Sequence, residues 1–263
     1  MDEVARYNRD RWNALVDANA LFTRPYLDLT VAAARQWLAS DPIIRDVSGS
    51  RVLCLASGGG QQSAIFGRLG ARVTVLDLAE GQLERDRLAA RHHGYPVQTE
   101  AGDLRDLGRF AEGSFDLVWQ GYSLNFVPDA PGVFAEVARV LRAGGVYRFS
   151  CANPFTAGIT ERDWNGDGYL LRRSYVEGEE ISYSDQEWVY RRSGREGEPI
   201  QPPREYRHGL GTLVNGLIEN GLAIRRLSES VDIHPDPQAT PGTWDHFVSV
   251  APPWLTFWTT RLG

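Results

Sequence analysis

Three consecutive glycines, residues 58–60, stand between an apolar run and an amphipathic stretch, and Asp77 closes the next apolar run. Glycine lets the backbone turn sharply and lets a ligand approach without meeting a Cβ atom. A helix that begins behind such a turn offers free N–H groups and a positive dipole end, which suit a phosphate or a carboxylate. The carboxylate of Asp77 can accept hydrogen bonds from both hydroxyls of a ribose. Together they predict a site for an adenosine-containing cofactor, with a helix N-cap as the alternative role of Asp77.

Residues that bind metals or act as nucleophiles are sparse. The five histidines and two cysteines show no spacing typical of metal ligands, so no metal is predicted. Cys54 lies inside an apolar run and Cys151 beside another, so both are expected to be unpaired core thiols of a reducing compartment. His208 begins a helical pattern, and a histidine there could act as a general base or simply pack against its neighbours.

The glycine turn lies within a regular alternation of strand-like and helix-like patterns between residues 51 and 150. Short apolar runs such as "RVLCLA" and "ARVTVLDL" are typical of strands buried on both faces of a sheet. The helical stretches "QQSAIFGRLG" and "AEGQLERDRLAARHHG" both stop at glycine. "DAPGVFAEVARVLRAGG" predicts a helix that begins at Asp129 and ends at the glycine pair 144–145. The alternation predicts a doubly wound α/β fold with a mostly parallel sheet.

The remaining segments predict additions to this sheet within a single domain over residues 1–263. The first part, residues 1–48, is expected to form a helical cap with helices near 4–20 and 26–40. Residues 153–206 are rich in Gly, Tyr and Trp and predict an inserted antiparallel lid. After a further helix, "LAIRRLSESV" and "WDHFVSVAPP" are expected to be two closing strands.

The charge and hydropathy patterns exclude several classes of partner. A net charge of −6 and a pI near 5.4 give no basic footprint for nucleic acid or an anionic membrane. No apolar run approaches the roughly 20 residues of a spanning helix, and the acidic, charge-interrupted start does not have the pattern of a signal peptide. These features predict a cytoplasmic protein with a small-molecule substrate, and leave a homodimer open.

Two cofactor classes use a glycine turn followed by an acid, and later motifs separate them. Dinucleotide-dependent oxidoreductases use G-x-G-x-x-G, for which Gly58, Gly60 and Ser63 could stand. The segments "AGDLRDL", "GSFDLVWQGYSLNFVPD" and "VFAEVARVLRAGGVYRFS" instead resemble the shared motifs of class I, Rossmann-like S-adenosylmethionine-dependent methyltransferases of the small-molecule type. The resemblance covers residues 51–150 well and extends more loosely to "REYRHGLGTLVNGLIENGLAI".

This resemblance implies a seven-stranded sheet, S-adenosylmethionine as the cofactor and methyl transfer to a small organic acceptor. It implies that Asp77 holds the ribose, and that Asp103 or its neighbour Leu104 meets the adenine, a loop acid or cap being the alternative for Asp103. The residues expected to contact the cofactor are Ala56, Ser57, Gly58, Gly60, Gln61, Asp77, Leu78, Asp103, Leu104 and Gln120. An NAD-dependent oxidoreductase and a non-catalytic relative that only binds the cofactor remain as alternatives.

The chain departs from the first motif of these methyltransferases at two positions. The acid of that motif falls on Cys54 and its first glycine on Ala56. The acid is often linked to recognition of the methionine amine, so another residue is expected to take that role. The candidates are Ser57, Gln61, Asn8 and Arg24; for Arg24, a solvated surface position is the alternative.

The acceptor is expected at the end of the fourth strand, beneath the lid. Direct displacement depends largely on alignment of the reacting groups, and a hydroxyl acceptor usually benefits from a base. The candidates for catalysis are Tyr122 and His208, with Gln120, Ser123 and Asn125 nearby in sequence. The lid aromatic residues could bound a pocket for a flat or cationic acceptor, or form cross-strand pairs; they are Trp164, Tyr169, Tyr175, Tyr183, Trp188 and Tyr190.

Overall fold

Five strands of the predicted alternation run parallel to one another in the computed structural model, which describes residues 1–183 and 199–263. They are β1 (Arg51–Leu55), β2 (Arg72–Asp77), β3 (Val97–Ala101), β4 (Phe115–Tyr122) and β5 (Leu141–Ala152). Because the carboxyl ends of parallel strands share one edge, the glycine turn after β1, the acid that ends β2 and the end of β4 all lie along that edge.

The later strands complete the sheet and add a small second one. Two short strands, β6 (Glu180–Ser182) and β7 (Arg204–Tyr206), pair antiparallel in a separate sheet. Strands β8 (Leu222–Ser228) and β9 (Trp254–Arg261) join the large sheet, in which β9 runs antiparallel to both β5 and β8. The strand order β3-β2-β1-β4-β5-β9-β8 confirms the predicted mostly parallel seven-stranded sheet.

Helices cover both faces of the sheet. In chain order they are α1 (Glu3–Asp17), α2 (Val31–Ser40), α3 (Gln62–Arg68), α4 (Glu80–His93), α5 (Ala130–Val140), α6 (Leu210–Glu219) and α7 (Trp244–Val250). Alternate residues of strand β1 face opposite sides of the sheet and pack into two apolar cores. Val52 and Cys54 pack with residues of α2 and α3, whereas Leu53 and Leu55 pack with residues of α5 and α6. The doubly wound architecture is therefore confirmed.

Capping residues mark several of the predicted helix boundaries. The side chain of Asp129 accepts a hydrogen bond from Gly132 N at the start of α5, with Pro131 in the first turn. Gly94 ends α4 in the left-handed region at φ 73°. The second N-terminal helix begins at Val31 rather than near residue 26, because Thr30 caps it by accepting from Ala33 N.

The structure also differs from the prediction at the end of one helix and in the type of one later element. Helix α5 ends at Val140, and "LRAGG" belongs to β5, whose residues 142–145 bulge out of register against β4, with Gly144 at φ 73°. "WDHFVSV" is helix α7 instead of a strand, because Phe247, Val248 and Ala251 are buried at helical spacing, and the closing strand is "WLTFWTTR".

The segment 153–206, predicted to be an inserted lid, is described only in part. Trp188 and Tyr190 lie outside the described residues, whereas Trp164 and Tyr169 form an isolated antiparallel bridge with their rings 5.2 Å apart. Among the helices described, none has both the length and the apolar character needed to cross a membrane.

Candidate active site

The three amides of the glycine loop are held by two buried carboxylates. Gly58 N donates to Asp77 Oδ2 at 3.0 Å. Gly59 N and Gly60 N donate to the two oxygens of Asp86, each at 3.0 Å. Asp77 is the last residue of β2 and Asp86 lies on α4, so the loop after β1 is fixed by a strand and a helix that come later in the chain.

Asp77 lies where the sequence predicted it, at the sheet edge beside the glycine loop. Its other oxygen accepts from Ala79 N at 2.9 Å, so it also holds the start of α4. Burial raises the pKa of Asp77 to about 6, although hydrogen bonds from Ala79, Gly58 and Leu78 oppose the shift. The Asp77 carboxylate therefore contacts the start of α4, as the capping alternative predicted, and also lies beside the glycine loop.

Asp86 is a member of the site that sequence reasoning missed. It is fully buried and also accepts from Ser63 Oγ at 2.5 Å, and Ser63 Oγ lies 3.3 Å from Tyr95 Oη. Burial raises the pKa of Asp86 to about 7. The signal was its helical spacing, since Leu83, Asp86 and Ala90 share the buried side of α4.

Glycine is required in this loop by the protein's own chain. A Cβ atom on Gly58 would lie 2.7 Å from Gln82 Cβ, and one on Gly60 would lie 2.6 Å from the carbonyl oxygen of Arg85. Gly59 and Gly60 have φ angles of 113° and 74°. The loop therefore packs tightly on α4, with its amides directed inward.

Ala56, at the position of the first glycine of the motif, has a backbone conformation that is uncommon for residues other than glycine. Its φ angle is 43°, in the left-handed region that favours glycine. Cys54, at the position of the motif acid, is buried in the apolar layer, and burial raises the pKa of its thiol well above the usual value. Cys54 is thus a core residue, as predicted.

Ser57 connects the glycine loop to the end of β4. Its hydroxyl accepts from Gly121 N at 2.9 Å and donates to Leu55 O at 3.0 Å. The neighbouring Gln120 is fully buried, and its side chain accepts from Tyr147 Oη at 2.5 Å and donates to Ser123 Oγ at 3.0 Å. Both ends of the Gln120 amide are thus used inside the protein.

Asp103 lies after β3 in an ion-pair cluster. Arg105 Nη2 lies 2.5 Å from Asp103 Oδ2, and Arg105 Nη1 lies 2.8 Å from Asp2 Oδ2 at the start of α1. Leu104 is buried in the apolar layer, and Leu78 is partly buried after β2. The predicted adenine side is therefore joined to the N-terminal helix through Arg105.

Helix α1 reaches across the sheet edge from α4 to the segment after β4. Asn13 Oδ1 accepts from Gly81 N at 3.1 Å, and Asn8 Nδ2 donates to Phe126 O at 2.8 Å. The rings of Trp12 and Phe126 meet edge to face at 5.9 Å. Asn8 is buried, and its Oδ1 finds no hydrogen-bond partner within the described part of the chain.

Gln61 and Arg24 are engaged away from the loop amides. Gln61 Nε2 donates to the carbonyl oxygen of Arg24 at 3.0 Å, which ties the glycine loop to the segment after α1. Arg24 Nε donates to Asn19 O at 2.8 Å. Of the two N-terminal candidates, Asn8 is therefore the one buried at the sheet edge.

A buried carboxylate that the sequence did not single out lies beside the end of β4. Tyr122 Oη donates to Glu205 Oε2 at 2.8 Å, and Tyr183 Oη donates to Glu205 Oε1 at 2.7 Å. Glu205 is only 4% exposed. Burial, together with the charge of Glu205, raises the pKa of Tyr122 well above its usual value, so its phenol stays protonated. Two strands far apart in sequence, β4 and β7, create this cluster.

His208 lies close to the same segment. It is buried, with Nε2 3.3 Å from Leu124 O and Nδ1 3.6 Å from Glu177 Oε1. Glu177 also accepts from Gly209 N at 2.7 Å at the start of α6. Both predicted catalytic residues therefore lie near the end of β4. No cluster of three or more metal-ligating side chains occurs in residues 1–183 and 199–263.

Comparison with known proteins agrees with this arrangement. Residues 53–149, from β1 to β5, match the methyltransferase domain family. These residues carry a methyltransferase domain. This confirms the methyltransferase resemblance stated from the motifs, and S-adenosylmethionine, the predicted cofactor, is the cofactor named for a solved structure that shares this fold.

Relatives of this methyltransferase domain extend over different parts of the chain. The uncharacterised methyltransferase YbaJ of Bacillus subtilis is 28% identical over 234 residues, which cover 85% of this chain and 89% of YbaJ. The ubiquinone biosynthesis O-methyltransferase of Xanthomonas oryzae is 36% identical over 108 residues, which cover 41% of this chain and 45% of that enzyme. An S-adenosylmethionine-dependent methyltransferase from Mesorhizobium loti shares the fold with a TM-score of 0.59 at 24% identity, over 89% of this chain and 100% of that one.

Proposed function

We propose that the protein binds S-adenosylmethionine and transfers its methyl group to a small organic acceptor by direct displacement. The observation that carries this proposal is the contact between the glycine loop and the acid that ends β2, with Gly58 N 3.0 Å from Asp77 Oδ2. This contact joins the two parts of the predicted cofactor site at the carboxyl edge of a methyltransferase sheet. The bound cofactor would supply an activated methyl group.

The described residues fit this cofactor. Asp77 would accept hydrogen bonds from the ribose, and Asp103 or Leu104 would meet the adenine. Asn8 Oδ1 and Gln82 Oε1 are buried acceptors without a partner among the described residues, and both belong to elements that surround the glycine loop. A buried acceptor without a partner is costly, and the methionine ammonium would satisfy it. These two acceptors would then take the role of the motif acid, whose position is occupied by Cys54.

The acceptor would bind beside Tyr122. One hydrogen bond, from Gly121 N to Ser57, connects the cofactor loop to the residue before Tyr122. Tyr122 would orient the acceptor, because its phenol stays protonated, and Glu205 or His208 would take a proton from a hydroxyl acceptor. The burial of these groups favours a small acceptor, as does the name of the ubiquinone biosynthesis O-methyltransferase.

The alternative of an NAD-dependent oxidoreductase is disfavoured by Asp86. The dinucleotide fingerprint uses loop amides and a helix N-terminus to bind a pyrophosphate. Here Gly59 N, Gly60 N and Ser63 Oγ already donate to a buried carboxylate. A pyrophosphate at this position would meet the Asp86 carboxyl group in place of free donors.

Calorimetric titration with S-adenosylmethionine, S-adenosylhomocysteine and NAD tests the proposal. We expect the wild-type protein to bind both sulfur compounds and not NAD, and Asp77→Ala to lose this binding. Asp116→Ala is a matched control, because Asp116 is held by Arg51 and Arg142 at the amino end of β4. Binding of NAD alone, or of none of the three compounds, would overturn the proposed function.

A further inference from the structure

Asp86 places a buried carboxyl group at a point of the glycine loop where a ligand's anion could be expected. Successive N–H groups in a turn of this kind form a concave site for an anion. The donors are Gly59 N and Gly60 N at 3.0 Å and Ser63 Oγ at 2.5 Å, and all three meet the same carboxylate. Gly59 N also lies 3.2 Å from Gln82 O, the carbonyl oxygen one turn earlier on α4.

Helix α4 packs closely against this loop. Asp86 is fully buried, and the backbone of α4 contacts the loop so tightly that a Cβ atom on Gly60 would lie 2.6 Å from Arg85 O. On the opposite side, Tyr26 N donates to Gly60 O at 3.0 Å. The loop is therefore held between α4 and the segment after α1 before any ligand arrives.

We propose that Asp86 is a positioning residue for the cofactor: its carboxylate fills the loop's internal anion site and fixes the loop in the shape that receives S-adenosylmethionine. The inference rests on the proposed function for the identity of the cofactor. It also makes Asp86 a specificity determinant, since the filled site gives no place to the phosphate of a nucleotide. Pre-organisation of this kind raises affinity by reducing the ordering that binding requires.

Chemical rescue tests the proposal. Asp86→Ala removes the carboxylate and leaves three buried donors around a space of carboxylate size, into which added formate can enter. We expect the Kd for S-adenosylhomocysteine, measured by calorimetry, to rise about tenfold or more, the effect of one unpaired buried donor. Formate should restore most of the affinity, whereas chloride at equal ionic strength should not.

Two further variants separate positioning from general damage. Asp86→Asn fills the same space but turns a donor toward the loop amides, so its affinity should fall and formate should have no effect. Asp116→Ala also removes an aspartate that binds a backbone amide, here Arg51 N at 2.7 Å, but at the opposite end of the strands. Its Kd for S-adenosylhomocysteine should match that of the wild type with and without formate.

The outcomes also distinguish this inference from the proposed function. If the wild type does not bind S-adenosylhomocysteine, the proposed function fails, and thermal unfolding of Asp86→Ala still shows whether formate stabilises it more than the wild type. Unchanged affinity in Asp86→Ala, or lost affinity that formate does not restore, would overturn the positioning role. An equal response to formate in Asp86→Ala and Asp116→Ala would overturn it as well.

Discussion

At the scale of single residues, the site is organised by acids whose partners are backbone amides. Asp77 and Asp86 approach the same loop from β2 and α4, and each is buried. A carboxylate that accepts several N–H groups keeps a fixed orientation, which is what a cofactor site requires. The two acids also lie close enough that the charge of Asp77 raises the pKa of Asp86.

Cofactor affinity should therefore depend on pH through Asp77. Its pKa is raised to about 6 by burial, so it is ionised above that pH and protonated below it. Ribose hydroxyls donate better to the ionised form, so we expect affinity for S-adenosylhomocysteine to be full above about pH 6 and to fall as pH decreases, by up to tenfold per unit. Calorimetry across this range measures it.

The matching variant is Asp77→Asn, in which the titrating group is absent. Its affinity should be lower than that of the wild type, and the pH dependence that Asp77 causes should be absent. Asp86 and the amides of Gly58, Leu78 and Ala79 face the Asp77 carboxylate, so Asp86→Asn is measured alongside. A wild-type Kd that stays constant from about pH 5 to 8 would contradict a ribose contact by Asp77.

At the scale of elements, the first half of helix α1 is held by contacts with two other parts of the chain. Arg105 joins Asp2 to Asp103, and Arg204 joins Glu3 of α1 to Glu180 of β6. Tyr7 Oη also donates to Pro202 O at 2.8 Å. These contacts connect α1 to the loop after β3 and to β6 and the chain before β7.

Loss of Arg105 should loosen α1 without unfolding the protein. In Arg105→Gln, we expect faster amide hydrogen exchange in residues 3–17 and a change in unfolding free energy of only about 0–1 kcal/mol, because the ion pair is partly exposed. Arg142→Gln breaks an ion pair with Asp116 at the far edge and serves as the control. Equal exchange in α1 for both variants would show that Arg105 does not hold this helix.

Elements with a regular apolar pattern were predicted from sequence, and those set by distant contacts were not. The apolar runs around Val52 and Val75 predicted buried parallel strands. Because these strands pair in parallel, Gly58 and Asp77 lie at one edge of the sheet, as expected. The pattern of "WDHFVSV" predicted a strand, whereas packing of Phe247 against Ile233 and Tyr169 stabilises a helix there. Asp86 and Glu205 look like surface acids in sequence, and their burial depends on elements elsewhere in the chain.

At the scale of the whole molecule, a buried arginine links the parallel part of the sheet to β9. Trp119, Arg148 and Trp258 are in register on β4, β5 and β9. The guanidinium of Arg148 lies 4.1 Å from the centre of the Trp119 ring and 5.8 Å from that of Trp258. Burial lowers the pKa of Arg148 to about 10, so the group is still charged at neutral pH.

Replacement of Arg148 should test how much this stacking stabilises the fold. Arg148→Ala leaves a cavity between two indole rings, and we expect it to lower the free energy of unfolding by about 3 kcal/mol. Arg148→Met fills the space without a charge to desolvate, so we expect a loss below about 1.5 kcal/mol. Urea unfolding of both variants gives the values, and equal losses would argue against a packing role.

The position of β9 has a consequence for how the protein forms during synthesis. β8 emerges before β9, but in the sheet it is a neighbour of β9 alone, while β9 pairs with β5. Until β9 has been made, β8 has no edge to join, and the exposed edge of β5 is free to pair with other chains. We therefore expect nascent chains that stop before Trp254 to bind chaperones and aggregate, although they already contain every residue proposed here to contact the cofactor.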